Sequence, residues 1–291
     1  MTEDHGPGII RSRENKYIKV ALALQDKKAR EESGLTLLEG VRLVGDALEQ
    51  EALVETVLFS RRLLSRPGGT DLLRLASDRA ASVLEVEPAL LDRISGTETS
   101  QGVAAFARIR HYETAFLVDA AARSKGILML LEAVQDPGNA GAIIRSAAAQ
   151  GAAGVLVSPG TADPWASKTL RASMGAVFRV PVACSDDWEG TLGVCKSRLQ
   201  VLLADVTGDA RPPWECDLTQ ATAIVLGNEG SGPSEISTQL ATGRIRIPMP
   251  GGTESLNVAM SASILLYEAQ RQRLFERTIV GRSHLEGPRA L

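Results

Sequence analysis

Histidine is nearly absent from this 291-residue chain, with one residue each at positions 5, 111 and 284. His5 and His284 lie in the polar leading and trailing segments, and His111 lies near an expected domain boundary. A Ser-His-Asp triad, a Cys-His dyad or an HExxH zinc site therefore lacks its raw material. Cysteine is also scarce: Cys184, Cys195 and Cys216 are odd in number and form no CxxC pair. That argues against a disulfide framework or a structural metal site and fits a reducing cytoplasm. No GxxxxGK[ST] occurs, and Gly227, Gly230 and Gly232 depart from GxGxxG spacing, which excludes a P-loop nucleotidase and a Rossmann oxidoreductase. No apolar run approaches the ~18–20 residues that span a bilayer, and MTEDHGPGII lacks a signal core. The expectation is a soluble cytoplasmic protein with no membrane partner. Aromatics make up only 4%, so Ala, Leu, Val and Ile must build the core. A net charge of −3 excludes a uniformly basic coat but leaves room for a local patch. An enzyme made from this inventory must use a cofactor that already carries activated chemistry.

Residues 11–33 read as one helix with Tyr17, Val20, Leu22 and Leu24 as a partial apolar stripe. Seven basic residues fall there (Arg11, Arg13, Lys16, Lys19, Lys27, Lys28, Arg30) against Glu14 and Asp26. They form either a solvated helix face or a phosphate-contacting patch. Strand-like TLLEG, VETVLFS, SVLEVE and GVAAFARIR then alternate with helical VRLVGDALEQ, LLRLASDRA and PALLDRIS, an α/β unit ending near Arg110. The expected division is 1–112 as an N-terminal domain, 113–125 as a linker and 126–291 as a second domain. In the second, GILMLLEAVQ has the near-continuous apolarity of a parallel strand buried on both faces. GVLVSP, FRVPVAC, VLLADV, AIVLG and RIRIPM follow as strands, and a long helix is expected from Asn257 to Phe275. Ligands of such sheets sit beyond the carboxyl ends of the strands. That directs attention to loops 136–141, 227–232 and 248–257.

In the first loop, Pro137 and Gly138 turn the chain and Asn139 stands where an N-cap belongs. Arg145 follows in the helix, either packing its stem along it or aiming its guanidinium at a phosphate or oxyanion. In the second, the glycines around Asn228 and Glu229 either merely turn the chain or let main chain approach a ligand. In the third, Ser255 or Asn257 caps the last helix, and both lie close enough to its start to hold a substrate hydroxyl.

Taken in order, NAGAIIRSA with KTLRASMGAVFRVPV, then IVLGNEGSG, then IPMPGGTESLNVAMSASILLYE resemble the three signature motifs of the SpoU-type (TrmH-like) RNA ribose 2′-O-methyltransferases of the SPOUT superfamily. The resemblance covers about residues 127–275. More weakly, KYIKVALALQDKKARE and LTLLEGVRLVGDAL resemble the substrate-binding domain of rRNA-acting members. The resemblance implies an α/β catalytic domain with a trefoil knot and a parallel sheet flanked by helices, plus a smaller N-terminal α/β RNA-binding domain. It implies S-adenosyl-L-methionine as cofactor, held by Gly227, Ile247 and Leu256, with Ala204 and Asp205 as further candidates. It also implies a homodimer formed through the knotted domain, with Arg145 reaching a site shared with the partner.

Asn139, Glu229, Ser255 and Asn257 match the other polar motif positions; Ser146 stands where Thr is common. The family role of the arginine is general base. A guanidinium stays protonated (pKa above ~12), so Arg145 is expected instead to clamp a phosphate and stabilise the developing 2′-oxyanion. Ser255 and Asn257 would orient the ribose, and Glu229 would hold the loop or the substrate. Lys168 and Arg171, with Arg11, Lys16, Lys27 and Lys28, are candidate RNA contacts. The expected substrate is rRNA, 23S in particular. The alternatives are tRNA 2′-O-methylation, base methylation, and a non-catalytic RNA-binding or ribosome-assembly protein.

Overall fold

The structure, a computed structural model, describes residues 8–283 except 51, 97, 98 and 207, with side chains described through 275. His5 and His284, and the side chain of Arg277, lie outside the described residues. Contacts divide the chain into two units. The first holds the described residues up to Arg110 together with Asp163–Arg179; the second holds His111–Ala162 and the described residues from Val180.

The first part of the chain forms α1 (Lys16–Ala23), α2 (Lys27–Ser33), β1 (Leu35–Glu39), α3 (Val41–Glu49), β2 (Val54–Phe59), α4 (Gly69–Arg79), β3 (Ser82–Glu85), α5 (Pro88–Ile94) and β4 (Val103–Arg108). The sheet order is β1-β4-β2-β3, with β4 antiparallel to both neighbours and β2 parallel to β3. Ile18 and Ala21 of α1 and Leu91 and Ile94 of α5 pack with Leu58 and Phe106 of the sheet.

The helix expected over 11–33 is two helices. Asp26 takes an extended conformation and its carboxylate accepts the Lys28 and Ala29 N–H groups, capping α2 and breaking the run at 24–26. The buried stripe of α1 is Ile18, Ala21 and Leu24, with Val20 exposed.

The rest of the chain forms α6 (Thr114–Ser124), β5 (Ile127–Leu131), α7 (Pro137–Ala149), β6 (Gly154–Val157), α8 (Ser167–Ser173), β7 (Val182–Cys184), α9 (Trp188–Arg198), β8 (Gln200–Ala204), β9 (Thr222–Leu226), α10 (Glu235–Leu240), β10 (Gly243–Ile245) and α11 (Val258–Ser283). Six strands form a wholly parallel sheet in the order β10-β8-β9-β5-β6-β7. The expected linker 113–125 is instead mostly α6. Its Leu117, Val118 and Ala121 recur at helical spacing, and all three are buried with α9 against Leu128, Leu130 and Val201 of the sheet. Alternation along β5 sends Ile127, Met129 and Leu131 to the opposite face. α7 and α11 pack against one another.

The segment Asp163–Arg179, with α8, belongs to the first unit although the motif run places it in the second domain. Thr36 of β1 donates its hydroxyl to the Trp165 carbonyl at 2.8 Å. Arg30, expected in a solvated basic face, is 5% exposed. Its guanidinium donates to Asp163 Oδ2 at 2.5 and 3.1 Å and to the Leu24 and Gln25 carbonyls. It thereby satisfies the C-terminal carbonyls of α1 that the chain break exposes.

Candidate active site

Because the second sheet is parallel, its strands end on one side. Leu131, Leu226, Ala204 and Ile245 stand in one row across β5, β9, β8 and β10. Just beyond that row, the second unit encloses a cavity of about 650 Å³. Gly227, Ile247, Leu256, Ala204 and Asp205 all line it, as do Asn139, Glu229, Ser255 and Asn257. Arg145 does not line it.

Each wall has a local cause. Gly227 follows β9 where the chain doubles back, and a Cβ there would collide with the main chain of Gly232 and Pro233. The bend is built by Asn228, whose Oδ1 accepts the N–H groups of Gly230 (2.9 Å) and Ser231 (3.0 Å), an Asx turn. Its Nδ2 donates to the Ala133 carbonyl at 2.7 Å, tying the loop to the chain leaving β5. Asp205 accepts from Arg244 Nη1 at 2.5 Å, which steadies the β8 and β10 ends of the wall.

Helix α7 begins one turn earlier than expected. Asp136, not Asn139, is its N-cap, accepting the Asn139 N–H at 2.8 Å, and Pro137 occupies the first helical position, where its missing N–H costs nothing. The Asn139 side chain is thereby released for longer-range bonds. Its Nδ2 donates to Glu229 Oε1 at 3.0 Å, and its Oδ1 accepts from Asn257 Nδ2 at 2.9 Å. Asn257 in turn caps α11, its Oδ1 accepting the Ala259 and Met260 N–H groups. One amide therefore joins all three loops, and Ser255 is left on the cavity wall rather than in the cap. Burial pulls the Glu229 carboxyl pKa upward. The Asn139 amide and the main-chain N–H groups of Glu229, Gln135 and Asp136 outweigh it, so the net value lies below the ordinary 4.5. The rim of the cavity thus carries a fixed carboxylate.

Similarity to known proteins gives the family. A family model described as the SpoU rRNA Methylase family matches residues 126–267, and one described as the MRM3-like substrate binding domain matches 15–105. The chain is 32% identical to rRNA methyltransferase 3, mitochondrial, of Homo sapiens, over 87% of this chain and 71% of that protein. It is 30% identical to the 23S rRNA (guanosine(2553)-2′-O)-methyltransferase RlmP of Bacillus subtilis, over 89% of this chain and 97% of the relative. The chain belongs to the SpoU rRNA methylase family. Its fold is that of the AdoMet-bound rRNA methyltransferase from Sinorhizobium meliloti, with a TM-score of 0.79 and 30% identity over 91% of this chain and 97% of that one. AviRb from Streptomyces viridochromogenes, a SpoU methyltransferase solved with AdoMet, also gives a TM-score of 0.79 at 29% identity over 89% of this chain and 98% of that one.

In this SpoU family chain the motif residues converge unevenly. Arg145 is exposed on α7, six residues beyond Asn139 and about 9 Å further along the helix axis, and is not among the residues lining the cavity. The candidate RNA contacts all lie in the first unit. Lys168 and Arg11 are exposed. Lys16 is exposed and sits 5.1 Å from the Tyr17 ring. Lys27 and Lys28 face Glu31 and Glu32 at 3.5 and 3.8 Å, one helical turn on. Together with the Lys19–Glu14 and Arg30–Asp163 pairs, these contacts leave the basic run less positive than its local count suggests. Arg171 is half-buried with its Nη1 3.8 Å from Glu39.

Glu132 is not among the site residues read from the sequence, although its signal is legible: a lone charge closing the apolar run ILMLL.

Proposed function

We propose that the chain transfers a methyl group from S-adenosyl-L-methionine to a ribose 2′-oxygen of rRNA, in the large-subunit 23S molecule. The observation that carries the reading is the Glu229–Asn139–Asn257 chain of hydrogen bonds at the mouth of a glycine-edged cavity, in a chain of the SpoU family.

The cavity suits the cofactor. Its volume falls in the ~300–1,000 Å³ range of small-molecule sites. Gly227 keeps its edge free of side chain, Ile247 and Leu256 supply apolar contact, and Asp205 and Glu229 supply acceptors. Gly227, Ile247, Leu256, Ala204 and Asp205 would hold the cofactor, which when bound supplies an electrophilic sulfonium methyl. The protein's own contribution is alignment, worth ~7–11 kcal/mol in favourable geometry, and stabilisation of the 2′-oxygen as it loses its proton. Ser255 and Asn257 orient the ribose. Asn139 and Glu229 keep the three loops in register. Arg145 stays protonated, clamps the adjacent phosphate and stabilises the oxyanion, and the proton leaves to that phosphate or to water.

Arg145 is exposed on α7 and does not line the cavity of its own chain, which fits service to the site of a second copy in a homodimer formed through this domain. α11, which packs on α7, carries exposed Met260, Ile264 and Tyr267 at helical spacing, a face suited to such an interface. In the first unit, Lys168, Arg171, Arg11, Lys16, Lys27 and Lys28 contact RNA phosphates. The match of residues 15–105 to a substrate binding domain supports that role for Lys16, Lys27 and Lys28. We place the protein in the cytoplasm, in keeping with three cysteines that form no disulfide. No described helix is long and apolar enough to cross a membrane.

The test is methyl transfer from labelled cofactor to rRNA, followed by alkaline hydrolysis. A gap in the cleavage ladder marks a blocked 2′-hydroxyl. Label without a gap indicates base methylation, and no label indicates a non-catalytic RNA binder.

A further inference from the structure

Glu132 is the first residue past the end of β5, the strand at the centre of the parallel sheet, and it is 6% exposed. A carboxylate so buried is costly unless its oxygens are occupied. Here four bonds meet it, all from neutral groups. Oε1 accepts from Ser234 Oγ (2.6 Å), Ser237 Oγ (2.8 Å) and Trp188 Nε1 (2.8 Å), and Oε2 accepts from the Ser234 N–H (3.1 Å). Ser234 also caps α10, accepting the Ser237 N–H at 3.1 Å. The carboxylate therefore gathers the start of α10 and the start of α9 onto the end of β5.

What lies between these anchors is the loop that edges the cavity. Its near end is held by Asn228 on the Ala133 carbonyl and its middle by Glu229 on the Gln135 N–H and Asn139. Its far end, past Pro233, is held by Ser234 and Ser237 on Glu132. Residues 132–135 thus act as a template along the whole length of 228–237. The Asn228–Gly232 main-chain pair closes the approach of Gly227 to Gly232 and Pro233 locally, and from Pro233 the chain runs straight into Ser234, the point held by Glu132. We propose that Glu132 is a positioning residue for the methyl donor. It touches neither donor nor RNA, and it sets donor affinity by fixing the far end of the cavity loop. This rests on the reading that the cavity holds S-adenosylmethionine.

Glu132→Gln tests it at nearly constant volume. The amide offers one acceptor oxygen and one NH₂, whereas both positions face donors. If the NH₂ takes the Oε2 place it opposes the Ser234 N–H. If it takes the Oε1 place it opposes the Trp188 N–H, which cannot rotate away as a hydroxyl can. The expected result is a donor Kd by calorimetry, and a KM for donor, raised at least tenfold, with KM for RNA and kcat at saturating donor within threefold of wild type. Trp188 emission, isolated by comparison with Trp188→Phe, should shift as the indole loses its carboxylate. A general loss of folded protein would lower kcat and leave the KM values alone. If Glu132→Gln does not fold, Ser237→Ala removes one donor without stranding a rigid N–H, and should raise the donor Kd several-fold. Donor affinity within twofold of wild type in the folded variant, with Trp188 emission shifted, overturns the proposal. A wild-type protein that binds neither donor nor its demethylated product overturns the reading of the cavity and this inference with it, an outcome distinguishable because the variants need not be made to see it.

Discussion

If Arg145 completes the site of a second copy, two inactive variants mixed together should recover activity. Arg145 is exposed on α7 and lines no part of its own cavity, so Arg145→Ala should change stability by under about 1 kcal/mol and leave donor affinity intact. Turnover should fall about 10²–10³-fold, the usual effect of removing one preorganised oxyanion donor, or ~2.7–4 kcal/mol. Gly227→Ala is the complementary lesion: its Cβ would meet the main chain of Gly232 and Pro233 and distort the loop that edges the cavity, leaving Arg145 in place. In a 1:1 mixture, about half of randomly exchanged symmetric dimers pair one variant with the other, and each such dimer holds one intact site out of two. The mixture should therefore regain about a quarter of wild-type activity per chain after subunit exchange by dilution from mild denaturant. Labelled methyl transfer to rRNA, with each variant alone as control, gives the readout. No recovery in a mixture shown by mass-tagged pull-down to contain mixed dimers refutes the shared site, and an Arg145→Ala protein with near-wild-type rate refutes any role for the guanidinium.

Three further outcomes follow from the geometry. Gly227→Ala alone should lose donor binding by at least tenfold in calorimetry and cost about 1–3 kcal/mol in urea unfolding, since its Cβ meets main chain that cannot rotate aside. Arg30→Ala should cost about 3–5 kcal/mol by the same unfolding measurement, because it leaves the Asp163 carboxylate without its guanidinium in a site 6% and 15% exposed at the two side chains. A cost below about 1 kcal/mol would return Arg30 to the solvated basic face. The Glu229 carboxyl lies below its ordinary value in the folded protein. Its stabilising contribution is therefore present above the unfolded value and is lost as pH falls through the lower folded one. Asn139→Ala removes the largest of the hydrogen bonds that lower it. The acid limb of the pH profile for donor binding should move upward toward 4.5 in that variant, and an unmoved limb would separate Glu229 ionisation from binding.

Much of this protein is written locally. The run ILMLL declares a doubly buried strand, and β5 is buried at all five positions. The three loops announce themselves through proline, glycine and asparagine, whose backbone preferences act over four or five residues. The five cofactor candidates all reach one cavity because each directly ends or follows a strand of one parallel sheet, or sits on the loop running from that sheet into α11. Local reading failed where two local solutions competed. Asn139 and Asp136 are both good caps, and the choice fell to Asp136 because Pro137 fits the first helical position. It also failed over 11–33, where helical periodicity continues through Asp26 but the capping carboxylate interrupts the helix.

By itself the sequence determined most of the strands, the long last helix, the positions of the three loops and the residue types those loops carry. Tertiary structure decided which of those groups meet. The Asn139–Glu229, Asn139–Asn257 and Arg30–Asp163 bonds join residues 90, 118 and 133 positions apart. Such contacts depend on strand order and register in a folded sheet, which periodicities of two and 3.6 residues do not encode. The same reason turned Arg30 from a surface charge into a buried clamp, and made one asparagine side chain the junction of three loops.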